Sequence, residues 1–229
     1  MTESQAGRES AQDATYRWLK RRIGALPRHE GVFLTEAEVC EATGKSRTPV
    51  REALLRLETE GFLQIVPKKG AYVPPIPDTE IEAVMQAREL VEEWCVRRAA
   101  PLADSLTPEL EKLIRRQEEL LDDPVGFIEC DRAFHRAIVR AAGNPVLVEI
   151  YESLRDRQVR MGLRAIAAAE DRARAVLAEH AAIVRGIGSG DPARAAAALG
   201  AHLGGTLAVL HLPAVRHWDD AEGGAYPAE

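Results

Sequence analysis

Aromatic residues are scarce in this sequence: Phe, Trp and Tyr together make up 5% of 229 residues. That scarcity removes a main class of strand former, while Ala, Leu, Arg and Glu dominate, so the composition favours helices. Cysteine is scarcer still. Cys40, Cys95 and Cys130 are an odd number without paired spacing, which excludes a disulfide frame or a zinc knuckle and reads as reduced thiols in a cytosol. Long apolar runs are missing too. None approaches the roughly 20 residues of a bilayer span, so no membrane partner is expected. The opening MTESQAGRESAQDATYR is polar and acid-bearing, unlike a secretory signal. Positive charge is in deficit, with a net charge of −6.

Enough is present to build a core, since 46% of residues are hydrophobic. The charge is also unevenly spread. Residues 1–77 hold 12 basic and 10 acidic groups, whereas residues 78–229 hold 18 and 26. A basic excess confined to one end points to an acidic partner for that end alone. Three prolines in YVPPIPDTE (72–80) stiffen the joint between the halves. We therefore read two domains, 1–76 and 77–229.

In the first, ATYRWLKRRIG (14–24) reads as a helix with Trp18, Leu19 and Ile23 on one side and a basic opposite side. The stretch LPRHEGVF reads as a loop. Thr35 and Glu38 fit a capping box that opens a short helix ended by Gly44. A second helix follows, with Thr48 as N-cap, Pro49 at its first position, and Val50, Leu54 and Leu57 as its core stripe. Then FLQIV, the turn PKKG and the return AYV suggest a β-hairpin. Two short helices and a hairpin make a winged helix-turn-helix. After the joint everything reads as helix: 78–102, 107–122, 125–142, 145–168, 170–188 and 191–210, an antiparallel bundle with breaks at SLTPE, DDPVG, AGNP and GSGDP. The tail LPAVRHWDDAEGGAYPAE shows no period and reads as frayed.

The chemistry of the first half lies in SRTPVREALLRLETEG (46–61). A recognition helix presents its N-terminal residues to base edges in the major groove of double-stranded DNA. Arg47 and Arg51 are four apart, on one face, and a guanidinium fork can pair with guanine. Lys45, Ser46 and Thr48 suit phosphates, as do Lys68 and Lys69 at the hairpin tip, where Gly70 would let backbone approach a groove. The run LTEAEVCEATGKSRTPVREALLRLETEGFLQIVPKKGAYV resembles the DNA-binding domain of the GntR superfamily of bacterial transcription regulators, over residues 14–73. That resemblance assigns DNA contact to Arg47, Arg51, Lys69 and Gly70. The sequence departs from the family at PRHEGVF, which lacks the usual Pro-Gly pair. It departs again at Ala37, where some members carry a DNA-contacting Arg.

The second half holds metal-type residues. Asp131 and His135 are four apart on one helix, while His180 and His202 fall on two later helices. Three imidazoles and a carboxylate suit Zn, Ni or Mn rather than a hard cation. Asp131, Phe134 and His135 followed by Gly-Asn-Pro, then Glu179-His180 and Ala201-His202-Leu203, resemble the ligand pattern of the C-terminal FCD domain found in the FadR-like GntR branch. The resemblance covers about 78–210. It implies a metal-binding sensor and an organic acid effector, with a recurrent arginine matching Arg88. Asn144 and Arg160 are further effector candidates, and a surface ion pair with Glu92 is the competing role for Arg88. A helical Asp/His metal site could instead activate water, with Glu179 as base. Adjacent helix positions point about 100° apart, however, and no nucleophile elbow, phosphate loop or HExxH is present. A bundle that is purely structural is the third reading. A palindrome-reading homodimer, most simply a repressor, completes the expectation.

Overall fold

The computed structural model describes residues 10–211; the predicted frayed tail lies outside the described residues. Helix α1 (Ala11–Ala25) opens on Ser10, whose side chain accepts from the Asp13 backbone N–H. Strand β1 (Val32–Leu34) follows, then α2 (Glu36–Thr43) and α3 (Arg47–Thr59). Strands β2 (Gln64–Val66) and β3 (Gly70–Val73) complete the head. The capping box forms as expected: Glu38 N–H donates to Thr35 Oγ1 and Thr35 N–H to Glu38 Oε2. Gly44 ends α2 in the left-handed region at φ 63°.

Three expectations for the head need correction. The cap of α3 is Ser46 rather than Thr48, and Pro49 lies in the third helical position. The segment predicted as loop contains β1. This strand pairs with β3, Val32 opposite Val73 and Leu34 opposite Ala71, so the wing is a three-stranded antiparallel sheet in the order β1-β3-β2. Lys20, placed on the basic side of α1, is buried. It contacts Glu60 at 3.0 Å and Glu129 at 3.6 Å, and lies over the Tyr16 and Phe62 rings.

The second half is all helix: α4 (Asp78–Ala99), a 3-10 turn (Ala100–Leu102), α5 (Ala103–Glu118) and α6 (Pro124–Ala141). Then come α7 (Pro145–Ser153), α8 (Arg155–Ala168), α9 (Arg172–Gly188) and α10 (Pro192–Leu210). The segment 145–168 is two helices, broken at Leu154. Tyr151 of α7 packs with Val91, Cys95 and Val139, whereas α8 turns away to meet α1. The α5 helix starts before Pro108, which it carries internally. Contrary to expectation, α10 is long and apolar enough by composition to cross a bilayer, at mean hydropathy 1.2. Alanine carries much of that hydropathy. Leu199, His202, Leu203 and Thr206 are buried in the fold, where α10 packs on α4 and α9.

Head and bundle share a core. Leu19 and Ile23 of α1 belong to one buried cluster with Val159 and Leu163 of α8. Gly24 lies so close to α8 that a Cβ there would come within 2.9 Å of Leu163 Cβ. Arg28 pairs with Asp78, and Arg160 donates to the Pro74 carbonyl, fastening the joint at both ends.

Candidate metal centre and nucleic-acid interface

The bundle brings Asp131, His135, His180 and His202 together. One ligand atom from each lies within 4.8 Å of the others. The i, i+4 spacing on α6 supplies the first two; α9 and α10 supply the rest. His135 and His180 are fully buried and His202 nearly so, while the Asp131 side chain keeps 17% exposure. The Phe134 ring stacks on His180 at 4.0 Å.

Each imidazole is held from behind through Nδ1. His135 Nδ1 contacts Glu92 Oε2 at 2.7 Å, His202 Nδ1 contacts Glu179 Oε2 at 2.7 Å, and His180 Nδ1 contacts Gln117 Oε1 at 2.9 Å. Gln117 is oriented by its amide N–H, which donates to the Phe127 carbonyl. Burial pushes the Glu92 carboxyl up, but Arg88 and His135 beside it outweigh burial and hold it at about 2. Glu179 is likewise held down by His202 and Arg172 against the effect of burial. Ionised carboxylates only accept, so Nδ1 of His202 carries the proton in its bond to Glu179; the 2.7 Å approach of Glu92 to His135 Nδ1, off the hydrogen-bond angle, favours the same tautomer electrostatically. The Gln117 oxygen imposes the same tautomer on His180.

All three Nε2 atoms therefore present lone pairs to one point. His135 Nε2 lies 3.1 Å from His202 Nε2, and His180 Nε2 lies 3.3 Å from Asp131 Oδ1. Lone pairs facing each other, and facing a carboxylate, repel unless a cation lies between them. Burial opposes a proton in that role. It lowers His202 to about 3 and also lowers His180, with Glu179 and Asp131 offsetting only part of the effect. A divalent ion suits that role: tetrahedral Zn–N bonds of about 2.0–2.1 Å place neighbouring ligand atoms roughly 3.3–3.4 Å apart. That spacing is near the two short contacts, and the set, spread over up to 4.8 Å, would draw in slightly around an ion.

Beside this cluster lies a cavity of about 30 Å³, walled by α4, α6, α7, α8, α9 and α10. Arg88, Asp131, Tyr151, Gln158, Arg172 and His202 reach it. Arg88 also makes the competing contact, since its Nε donates to Glu92 at 2.8 Å. The other two effector candidates are elsewhere. The Asn144 side chain accepts from Val146 and Leu147 N–H as the cap of α7, and Arg160 is committed to Pro74. Sequence reasoning missed Tyr151, Gln158, Arg172 and Gln117, none of which has a spacing signal. Glu179, part of the Glu179-His180 motif and the base of the enzymatic reading, backs His202.

In the head, Lys45, Ser46, Arg47, Thr48 and Arg51 are all exposed around the start of α3, as are Lys68 and Lys69. The Ser46 side chain makes no capping bond. Arg51 Nε donates to Glu36 of α2 at 2.8 Å, and Arg47 has no such carboxylate partner among the described residues. Gly70 has a reason within the fold: its φ is 111°, and a Cβ would come within 2.6 Å of the Leu34 carbonyl oxygen.

Comparison with known proteins gives these features a family. Residues 11–73 match "Bacterial regulatory proteins, gntR family" and residues 83–205 match the FCD domain. An HTH-type transcriptional regulator of an unstable DNA locus in Streptomyces ambofaciens is 31% identical over 202 residues, 86% of this chain and 83% of that one. The HTH-type transcriptional repressor RspR of Escherichia coli is 32% identical over 146 residues, 61% of this chain and 63% of that one. Among solved structures, E. coli McbR/YncC aligns with a TM-score of 0.58 at 26% identity, over 89% of this chain and 98% of that one. These domains are those of transcription regulators rather than enzymes. The chain belongs to the GntR family of bacterial transcription regulators, with an N-terminal winged helix-turn-helix and a C-terminal FCD domain.

Proposed function

We propose that the protein is a metal-dependent, small-carboxylate-responsive regulator of the FadR-like branch. It acts in the cytoplasm as a homodimeric repressor on palindromic operator DNA. The head (1–76) reads DNA, and residues 77–229 bind effector and dimerise. The observation that carries the metal is the set of imidazole Nε2 lone pairs and one carboxylate turned toward a common point, each ring fixed from behind. Outer partners of this kind set tautomer and ring orientation in metal sites. Asp131, His135, His180 and His202 would hold Zn, Ni or Mn. Such an ion supplies positive charge and open coordination positions for a carboxylate. Arg88 and Arg172, both reaching the cavity, would receive the remaining charge. The relative named a repressor supports that direction of control.

Arg47 and Arg51 are the base readers and Lys45, Ser46, Thr48, Lys68, Lys69 and Gly70 the backbone contacts. Selection from a random DNA pool should return a palindrome. On it, Arg47→Ala or Arg51→Ala should bind roughly ten- to a hundredfold more weakly, with random DNA little affected. Equal loss on both would reduce these arginines to phosphate contacts. If metal and acids leave operator affinity unchanged, the bundle is structural.

A further inference from the structure

Where α2 and α3 meet, one partly exposed group has the wrong sign for a DNA face. Glu36 is the first residue of α2, and its bond to Arg51 holds its carboxyl below the usual carboxylate range, with Arg47 adding to the pull. It is therefore ionised, and phosphates would repel it. Its bond is well made. Arg51 Nε donates to both Glu36 oxygens, at 2.8 and 2.9 Å, and so ties the second helix to the first. The pair does little for the fold. The Arg51 side chain keeps 59% exposure and Glu36 35%, and ion pairs this open to water contribute little. Negative charge at the start of α2 is the other service Glu36 could render, but Glu38 already supplies it together with the capping box.

We propose that Glu36 is a positioning residue for base readout: it fixes the Arg51 guanidinium so that the edge formed by its two Nη groups meets a guanine. This rests on the reading of Arg51 as a base contact. A guanidinium has two edges able to present paired donors, one through Nε and one across the two Nη groups. Glu36 occupies Nε, so the end-on pair is left for guanine O6 and N7. Neither Nη has a hydrogen-bond partner among the described residues, so that pair is open. An unbraced arginine at a DNA surface is drawn to the nearest phosphate. Glu36 opposes this in two ways: it offsets the Arg51 charge, and its own charge keeps phosphate off. When DNA covers the pair and water leaves, the attraction within it strengthens. Arg51 is thereby a fixed reader. Arg47, with no carboxylate bond among the described residues, is free to turn.

Selection from a random DNA pool by the full chain, as wild type and as Arg51→Ala, locates the base pair that Arg51 reads. At that pair Glu36→Gln should lose about tenfold of the preference for guanine, while preference at the other pairs holds. Random DNA should bind more tightly, and the salt slope should steepen by about 0.9, the value of one phosphate contact. A merely structural residue would not move these readouts in opposite directions. In the Arg51→Ala background, Glu36→Gln should change base preference no further; a further loss there would make Glu36 a reader in its own right and overturn its positioning role. Wild-type guanine preference in Glu36→Gln would also overturn it. So would a loss spread evenly over operator and random DNA with a lower urea midpoint, which would make Glu36 a residue of the fold. Each of these results spares Arg51 as a base reader. If Arg51→Ala itself loses no base preference, both readings fall.

Discussion

Glu92 stands behind the proposed metal centre without itself being one of its ligands. It accepts from Arg88 and sits 2.7 Å behind His135, fully buried. Glu92→Gln keeps the size but removes the charge that fixes the imidazole tautomer. Metal affinity should fall about 10- to 100-fold, read by competition with a chromogenic chelator. A wild-type affinity in this variant would show that ring orientation does not depend on Glu92. The histidines also make a pH prediction for metal-free protein. His202 is lowered from 6.5 to about 3 and His180 is lowered too, in both cases by burial first. Below 6.5 the unfolded chain takes up protons that the folded chain refuses. The contribution is full above that value and declines as pH falls toward the folded value, by up to about 1.4 kcal/mol per unit for each group. Glu92 and Asp131 are lowered as well, burial being outweighed by Arg88 and His135 at Glu92 and by the histidines at Asp131, so they cost stability only at lower pH, below the usual carboxylate values. The urea midpoint should therefore fall between pH 7 and pH 5. An unchanged midpoint would mean these rings are not buried neutral. The sequence made the four inner residues legible because i, i+4 spacing on one helix is a local signal. Gln117 and Gln158 were not legible, since their roles arise only when helices far apart in sequence meet.

At the scale of elements, chain punctuation was read well where the signal was local. The Thr35 capping box and the Gly44 stop are present because each satisfies backbone groups within a few residues. Thr35→Ala should cost about 1 kcal/mol by urea denaturation, and a change near zero would make the box redundant. Strand β1 escaped notice because its three residues pair with β3, far along the chain. The break at Leu154 escaped for a similar reason: no Gly or Pro marks it. Tertiary packing sets it, holding Tyr151 between α4 and α6 while α8 lies under α1. Helix α3 began earlier than read because Ser46 and Thr48 are equally good caps by type, and Pro49 tolerates any position in the first turn.

For the whole molecule, α8 is the main element that joins the cavity to the DNA-binding head, with α6 beside it. Gln158 and Met161 face the cavity, while Leu163 meets Gly24 of α1. Lys20 adds a second tie, joining α1 to Glu60 beyond α3 and to Glu129, two residues before Asp131 on α6. An acid that favours one setting of α8 thereby favours one setting of the head, which is what coupling requires. Gly24→Val would wedge α1 from α8, since even a Cβ meets Leu163 at 2.9 Å. In that variant acid should no longer change operator affinity, while metal content stays at wild type. A full acid response would place the coupling elsewhere.

The central claim is the four-residue metal centre, and metal content of the purified full chain by plasma emission tests it most directly. About one transition ion per chain, lost in His135→Ala and His202→Ala, is the predicted result. Protein that carries no ion and takes up none on addition of zinc, nickel or manganese would contradict it.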